Sequence, residues 1–285
     1  MSSDPKIKTL PGAWLLRMVY ALMVRLLGLH NPRKTTRNIG RLADRSRTRL
    51  LIACLPKSGS TYSSRLLERL TGYPSTAMVY AYERTEQELY WPRFVLTFGN
   101  DALYIQQHIR CTKSTMAAIE NLNITTIVQT RNILDVVVSL RDHLASGDFD
   151  ASMAYVDDRF LKLSPEAQID FIIDLIIPWY FNFFVSWHEA ALQGLRVFWL
   201  SYEKLVSDPQ GLMTELADFA GHPEWTAGEA VQQALQGARE VKTRFNKGVV
   251  GRGNDSLTLQ QKNQIRRLAS HYPGVDFRLL GLEPQ

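Results

Sequence analysis

The chain is poor in cysteine, with two in 285 residues. Cys54 and Cys111 are far apart, and neither has the ligand spacing of a metal site. Two thiols in a chain of this size fit a reducing compartment better than a disulfide framework. Charged residues are also few, at 21%, whereas hydrophobic residues make up 45%, which excludes a disordered chain. Because the sequence has no internal repeat or low-complexity tract, we expect one large globular domain or two small ones.

Acidic residues are scarce at the start of the chain. Residues 1–49 hold 11 Lys and Arg against two acids, Asp4 and Asp44, which gives a net charge of +9. The whole chain carries +5, so residues 50–285 carry −4. The basic charge therefore belongs to an N-terminal extension, and the slightly acidic body argues against a general nucleic-acid-binding surface.

Between Ala13 and Leu29 the sequence is apolar except for Arg17 and Arg25. Eight residues apart, the two arginines fall within about 80° of each other on a helix, which leaves a wide apolar face. A membrane span is disfavoured because each arginine costs about 2.5–3.5 kcal/mol near the middle of the bilayer. A signal peptide is disfavoured because no cleavage site of small residues follows the apolar stretch. We expect residues 11–41 to lie on a membrane surface, with packing on the body of the protein or a true span as alternatives.

From residue 49 onward, short apolar runs alternate with helical patterns. Strands are predicted at 50–55, 102–106, 124–129 and 195–200, and helices at 61–71, 114–122, 132–144, 166–193 and 209–220. This alternation predicts an α/β fold with a parallel central sheet flanked by helices. We therefore divide the chain into an extension, 1–48, and one domain, 49–285, in which the polar stretch 145–170 is an insertion or lid.

The segment 51–62 is typical of a buried strand, a loop of small hydroxylated residues and the start of a helix. The loop and first helical residues are Pro56, Lys57, Ser58, Gly59, Ser60, Thr61 and Tyr62. A helix N-terminus offers backbone N–H donors and the positive end of the helix dipole, so an anion binds there readily. Lys57 adds a positive charge, and the hydroxyl groups around it add donors. Because Lys57 precedes Gly59 and no glycine lies upstream, this phosphate or sulfate site is not a Walker A loop.

A second anion-binding pair follows the strand at 124–129. Arg131 leaves the end of that strand, and Ser139 lies two turns along the next helix. A guanidinium forks onto a phosphate, and the hydroxyl completes the contact. Taken alone, the pair is also compatible with an arginine that starts a helix and a serine that faces the core.

Four segments in the same order resemble the sulfotransferases that use 3′-phosphoadenosine 5′-phosphosulfate (PAPS). The loop 56–62 is similar to the family's 5′-phosphosulfate loop, 131–139 to its 3′-phosphate element, 199–209 to its strand-Tyr-Glu and Asp-Pro segment, and 247–251 to its Arg-Lys-Gly loop. The resemblance covers about residues 50–255. It implies a P-loop-like sulfotransferase fold, PAPS as the sulfuryl donor, adenosine 3′,5′-bisphosphate (PAP) as the product, and no metal.

The resemblance also implies roles for individual residues. Lys57 is expected to stabilise the negative charge that builds on the leaving phosphate. Ser139 is expected to hold Lys57 away from the donor until the acceptor arrives, and to bind the 3′-phosphate with Arg131. The expected donor-binding residues are Lys57, Ser58, Gly59, Ser60, Thr61, Tyr62, Arg131, Ser139, Tyr202, Lys247 and Gly248.

The family's acceptor-activating histidine follows a strand that precedes the Arg-Asn element, and His108 holds the corresponding place here. Its imidazole is expected to take the proton of the acceptor hydroxyl. Some sulfotransferases use a carboxylate base instead, which makes Glu83 and Glu86 the alternatives.

Three positions depart from the family pattern. They are Gln106 in place of Lys, Asn246 in place of Arg, and Tyr62 in place of Trp. The first change removes a cation near the transferred group, whereas Tyr62 keeps an aromatic ring that can stack on adenine.

The aromatic run 179–188 predicts a helix that packs in the core or lines the acceptor pocket. In the second case the acceptor is apolar, and a membrane-binding extension also points to a lipid or another amphipathic alcohol. Two other classes of function compete. One is a nucleotide kinase or NTPase, which the position of Lys57 and the lack of a clear Walker B carboxylate disfavour. The other is a non-catalytic, membrane-associated nucleotide-binding protein. We expect a cytoplasmic protein peripheral to a membrane, with a Golgi-type lumenal enzyme as the alternative.

Overall fold

The structure is a computed structural model that describes residues 44–80, 84–90, 99–149, 153–240 and 249–283, with isolated positions between 18 and 41 and between 93 and 97. Most of the predicted amphipathic helix, 13–29, lies outside the described residues. Binding of residues 11–41 to a membrane surface and the domain division after residue 48 therefore stay predictions.

Five parallel strands form one sheet. They are β1 (Arg49–Cys54), β2 (Ser75–Thr76), β3 (Ala102–Gln107), β4 (Ile124–Thr130) and β5 (Val197–Ser201), in the order β2-β3-β1-β4-β5. β1 lies at the centre, where Arg49 pairs with Ala102 on one side and Ile124 on the other. The predicted parallel sheet is confirmed. The sequence prediction missed the edge strand β2, which has only two residues.

Helices cover both faces of the sheet. They are α1 (Ser60–Thr71), α2 (Lys113–Leu122), α3 (Ile133–Ala145), α4 (Asp158–Leu161), α5 (Pro165–Leu175), α6 (Ile177–Leu192), α7 (Tyr202–Ser207), α8 (Pro209–Ala220), α9 (Ala230–Glu240), α10 (Arg252–Ser256) and α11 (Leu259–Ala269), with 3₁₀ turns at Pro223–Thr226 and Arg278–Leu280. Side-chain caps fix several helix starts: Thr112, Asn132, Ser164 and Thr258 each accept from a backbone N–H of the first turn.

The single helix predicted at 166–193 is two helices, and the prediction was wrong at Ile176. Pro178 has no N–H to donate into the helical ladder, so α5 ends at Leu175 and α6 starts afresh at Ile177. The stretch from Pro165 to Leu192 is long and apolar enough to cross a membrane, yet 56% of its most apolar window is buried inside the protein. It is a core element of the domain. The stretch 145–170, predicted as an insertion or lid, includes α4 and the start of α5.

Alternate residues of β1 face opposite sides of the sheet. Leu51 and Ala53 belong to a hydrophobic cluster with α3, α5 and α6. Leu50, Ile52 and Cys54 belong to a second cluster with α1, α8 and α9. All five are fully buried. The central strand is therefore packed on both faces. This packing fixes the position of its carboxyl end, where the loop begins.

Candidate active site

Four segments from different parts of the chain meet at one edge of the sheet. The loop 55–59 follows β1, His108 follows β3, Arg131 follows β4, and Tyr202 follows β5. Because the strands are parallel, their carboxyl ends share that edge, where open α/β sheets bind ligands. The fold therefore brings together the residues that the sequence singled out at positions 57–62, 108, 131 and 202.

The loop between β1 and α1 is held by buried hydrogen bonds. Lys57 and Gly59 both have positive φ, 62° and 85°, and the N-terminus of α1 has no side-chain cap. The Ser58 hydroxyl donates to the Leu55 carbonyl at 2.5 Å, and Gln129 Nε2 donates to the Ser58 carbonyl at 2.7 Å. Ser58 thus uses its hydroxyl to hold the loop. The uncapped helix start leaves that end of the loop suited to an anion.

Tyr202 lies between the loop and Arg131. A Cβ atom at Gly59 would lie 2.8 Å from the Tyr202 ring, so only glycine fits there. The Arg131 guanidinium lies 4.2 Å from the centroid of the same ring, a cation–π contact. Both side chains are buried, Tyr202 at 3% exposure and Arg131 at 8%. Tyr202 therefore packs against both the loop and Arg131 and supports their positions, a role that its place in the motif did not indicate.

Arg131 contacts two backbone segments of the site. Its Nη1 donates to the Lys57 carbonyl at 3.0 Å and its Nη2 to the Val249 carbonyl at 3.5 Å. Its Nε is buried and has no hydrogen-bond partner among the described residues. A buried guanidinium donor with no partner fits the approach of an anion.

Asn132 and Glu203 fix the start of α3. The Asn132 side chain accepts from the backbone N–H groups of Leu134 and Asp135, at 2.9 and 3.4 Å. The Asn132 N–H donates to Glu203 Oε1 at 2.8 Å. Burial raises the pKa of Glu203, and the hydrogen bond from Asn132 opposes that shift. The start of α7 thereby orients α3, which begins two residues after Arg131 and carries Ser139.

His108 lies directly beside the end of β1. Its Nδ1 is 2.8 Å from the Cys54 carbonyl oxygen and 3.5 Å from the Cys54 sulfur. Its backbone N–H donates to Gln87 Oε1 at 2.7 Å. When Nδ1 carries the proton and donates to the carbonyl, Nε2 is the basic nitrogen. Burial raises the pKa of Cys54 to about 12, so the neighbouring thiol stays neutral.

Comparison with known protein families matches residues 47–270 to the sulfotransferase domain. The chain belongs to the sulfotransferase family. Its predicted family, fold and enzyme class are thereby confirmed. A comparison with curated proteins found no match.

Solved structures of sulfotransferases share the fold. Mouse sulfotransferase SULT7A1 complexed with PAP has a TM-score of 0.60 at 15% identity, over 86% of this chain and 88% of that chain. Retinol dehydratase with androsterone and inactive cofactor PAP has a TM-score of 0.54 at 14% identity, over 86% and 88%. Retinol dehydratase with retinol and PAP has a TM-score of 0.53 at 16% identity, over 84% and 85%. At such identities the likeness is one of fold.

Of the two alternative bases in this sulfotransferase, the structure describes only Glu86. Glu86 Oε2 accepts from Arg110 Nε at 2.8 Å, and half of the Glu86 side chain is exposed. Glu83 lies outside the described residues, as do Asn246, Lys247, Gly248 and the side chain of Gln106. Among the described residues, no group of three His, Cys, Asp or Glu side chains is arranged to hold a metal ion.

The aromatic helix α6 packs in the core and supports the loop 55–59 and the residues that follow β3. The buried aromatic residues are Trp179, Tyr180, Phe181, Phe183, Phe184 and Trp187. The Tyr180 hydroxyl donates to the Pro56 carbonyl at 3.3 Å, and Trp187 Nε1 donates to the Ile109 carbonyl at 2.9 Å. Burial raises the pKa of Tyr180 well above its ordinary value. These two contacts join residues far apart in sequence, and no local pattern signalled them.

Proposed function

We propose that this sulfotransferase transfers the sulfuryl group of PAPS to a hydroxyl group, less readily an amine, of an acceptor. The observation that carries the proposal is the 2.8 Å contact between His108 Nδ1 and the Cys54 carbonyl. It supports His108 as the general base, because it holds the imidazole at the end of the strand from which the loop 55–59 begins. A proton acceptor and an anion site in adjacent positions are what sulfuryl transfer to a hydroxyl needs.

The described residues fit the two anionic groups of PAPS. The uncapped start of α1, with Lys57 and Gly59, is proposed to hold the 5′-phosphosulfate. Arg131, whose Nε has no partner among the described residues, is proposed to hold the 3′-phosphate with Ser139. Ser60, Thr61, Tyr62 and Tyr202, with Lys247 and Gly248 outside the described residues, complete the proposed donor site. Three solved structures with this fold are complexes with PAP, which supports the assignment.

His108 Nε2 is proposed to take the acceptor's proton while its Nδ1–H donates to the Cys54 carbonyl. The acceptor oxygen forms a bond to sulfur in line with the breaking bond to the bridging oxygen of the 5′-phosphate. Lys57 and the backbone N–H groups of the helix start stabilise the charge that develops on that oxygen. Each such preorganised donor contributes about 3–4 kcal/mol in enzymes where one has been removed.

The acceptor is proposed to be an apolar or amphipathic alcohol, including a lipid. The predicted membrane-binding segment 11–41 supports this class, since it would place the enzyme at a lipid surface. The two retinol dehydratase structures are complexes with androsterone and with retinol, which are apolar alcohols. The same segment supports a location at a membrane surface, and the two free cysteines support the cytoplasm, with a Golgi-type lumenal location as the alternative.

Transfer from ³⁵S-labelled PAPS to a panel of sterols, long-chain alcohols, sugars and amines tests the proposal. We expect labelled product from the apolar alcohols, and His108→Ala should lower its rate about 10²- to 10⁴-fold while PAP binding is retained. His271→Ala, at an exposed histidine, is the matched control. An unchanged rate in His108→Ala would show that His108 is not the base, and transfer only to sugars would contradict the apolar acceptor.

A further inference from the structure

The carboxylate of Asp135 holds a backbone segment that is 116 residues later in the chain. One oxygen accepts from the Gly251 N–H at 2.8 Å and the other from the Gly253 N–H at 2.7 Å. Asp135 is only 2% exposed. Buried carboxylate oxygens that accept backbone N–H groups form strong, directional hydrogen bonds, so this contact fixes the position of residues 251–253.

An ion pair and a close backbone contact also hold the same segment on α3. Arg252 Nη2 lies 2.6 Å from Asp142 Oδ2, and both side chains are mostly buried, at 20% and 17% exposure. A Cβ atom at Gly253 would overlap the backbone of Leu134, so α10 approaches α3 as closely as glycine allows.

Asp135 and Asp142 frame Ser139 on α3. Residues 135, 139 and 142 are spaced by four and three, so they share one face of the helix. Arg131, two residues before that helix, donates to the Val249 carbonyl of the same segment. Residues 249–253 therefore lie along the face of α3 that carries Ser139 and also contact Arg131, and these are the two residues proposed to bind the 3′-phosphate.

We propose that Asp135 is a positioning residue that fixes residues 249–253 against Arg131 and Ser139 and thereby sets the preference for a nucleotide with a 3′-phosphate. The inference rests on the proposed function, because the ligand that is selected is PAPS or PAP. Asp135 has no role in the chemical step. Its effect is therefore on recognition of the 3′-phosphate, and the 5′-phosphate site at the start of α1 does not depend on it.

Calorimetric titration with PAP and with adenosine 5′-monophosphate (AMP), which lacks the 3′-phosphate, tests this role. Asp135→Asn presents an amide donor to one of the two N–H groups, so we expect the preference for PAP over AMP to fall about tenfold or more, with AMP affinity nearly unchanged. Gly253→Ala displaces the same segment without a change of charge and should lower the preference in the same direction. Asp170→Asn, which removes an acid that accepts from Gln261 on α11, is the matched control and should retain the preference.

Each outcome has a distinct meaning when thermal melts show that the variants fold. If both Asp135→Asn and Gly253→Ala keep the preference for PAP over AMP within about twofold, the proposed role of Asp135 is overturned and the donor assignment is not. An equal loss of PAP and AMP affinity would assign Asp135 a general structural role and also overturn the proposal. No preference for PAP in the wild type would overturn the donor assignment. If Asp135→Asn does not fold, the preference measured in Gly253→Ala tests the proposal.

Discussion

Arg131 donates a hydrogen bond from Nη1 to the main-chain carbonyl of Lys57, at 3.0 Å. Lys57 has a φ of 62°, a left-handed conformation that costs a residue other than glycine about 1–2 kcal/mol. The guanidinium therefore stabilises a strained turn in the loop that is proposed to bind the 5′-phosphosulfate. The two proposed anion sites of the donor are linked by this one side chain.

Arg131→Ala should weaken PAP binding through both sites. The variant loses the charged donors that are proposed to bind the 3′-phosphate, and it loses the hydrogen bond to the Lys57 carbonyl. Because a hydrogen bond to a charged group contributes about 1.5–3 kcal/mol, we expect the dissociation constant to rise about 10- to 100-fold or more by calorimetry. Arg131→Lys keeps the charge without the planar fork and should give an intermediate loss. Unchanged affinity in Arg131→Ala would remove this residue from the donor site.

Gly59→Ala should disrupt the site, whereas Gly72→Ala at the other end of α1 should not. Both glycines have positive φ, 85° and 69°, but a Cβ at Gly59 would lie 2.8 Å from Tyr202, whereas a Cβ at Gly72 has no neighbour within 4 Å. We expect Gly72→Ala to lose only about 1–2 kcal/mol of stability, the backbone cost alone. Gly59→Ala should lose more in chemical denaturation and should also lose PAP affinity. Equal losses in the two variants would contradict the packing of Tyr202 against the loop.

Glu203 should make the protein less stable as the pH rises. Burial raises the pKa of Glu203 above the ordinary value of 4.5, so the folded state keeps this proton at pH values where the unfolded chain has lost it. Stability therefore falls as the pH rises from about 4.5 through the raised folded-state pKa. Glu203→Gln keeps the oxygen that accepts from Asn132 but does not ionise. We expect the melting temperature of Glu203→Gln to rise relative to that of the wild type as the pH increases above about 4.5.

Glu224→Gln is the control of opposite sign. The hydrogen bond with His222 lowers the pKa of Glu224, so the Glu224 carboxylate adds stability above its unfolded pKa. This variant should therefore lose melting temperature relative to the wild type as the pH rises. A constant difference between Glu203→Gln and the wild type at all pH values would contradict the raised pKa.

Local pattern was sufficient for most of the fold. β1, β3 and β4 lie within one residue of their predicted bounds, because each is an apolar run between polar segments. The helices α9 and α11 were not predicted, although Thr258 and Gln261 form a capping box at the start of α11. The break at Ile176 was missed because the apolar pattern continues through it. A proline at the second position of a new helix leaves the hydrophobic period unchanged.

The candidate site was predictable where a short motif carries its chemistry, as in the loop 56–62 and at Arg131. The supporting contacts were not predictable, since they join residues that are distant in the chain. Tyr202 against Gly59, Asp135 with Gly251, and Tyr180 with Pro56 span more than 110 residues each. Such contacts depend on the order of strands in the sheet, which a single sequence does not specify.

The central claim, a donor site for PAPS at the carboxyl edge of the sheet, is tested most directly by calorimetric titration of the full chain with PAP. ATP and ADP serve as controls, and the acceptor need not be known. The account predicts that PAP binds at least about tenfold more tightly than ATP or ADP, because Arg131 and Ser139 are proposed to bind a 3′-phosphate. A preference for ATP, or no binding of PAP, would contradict it.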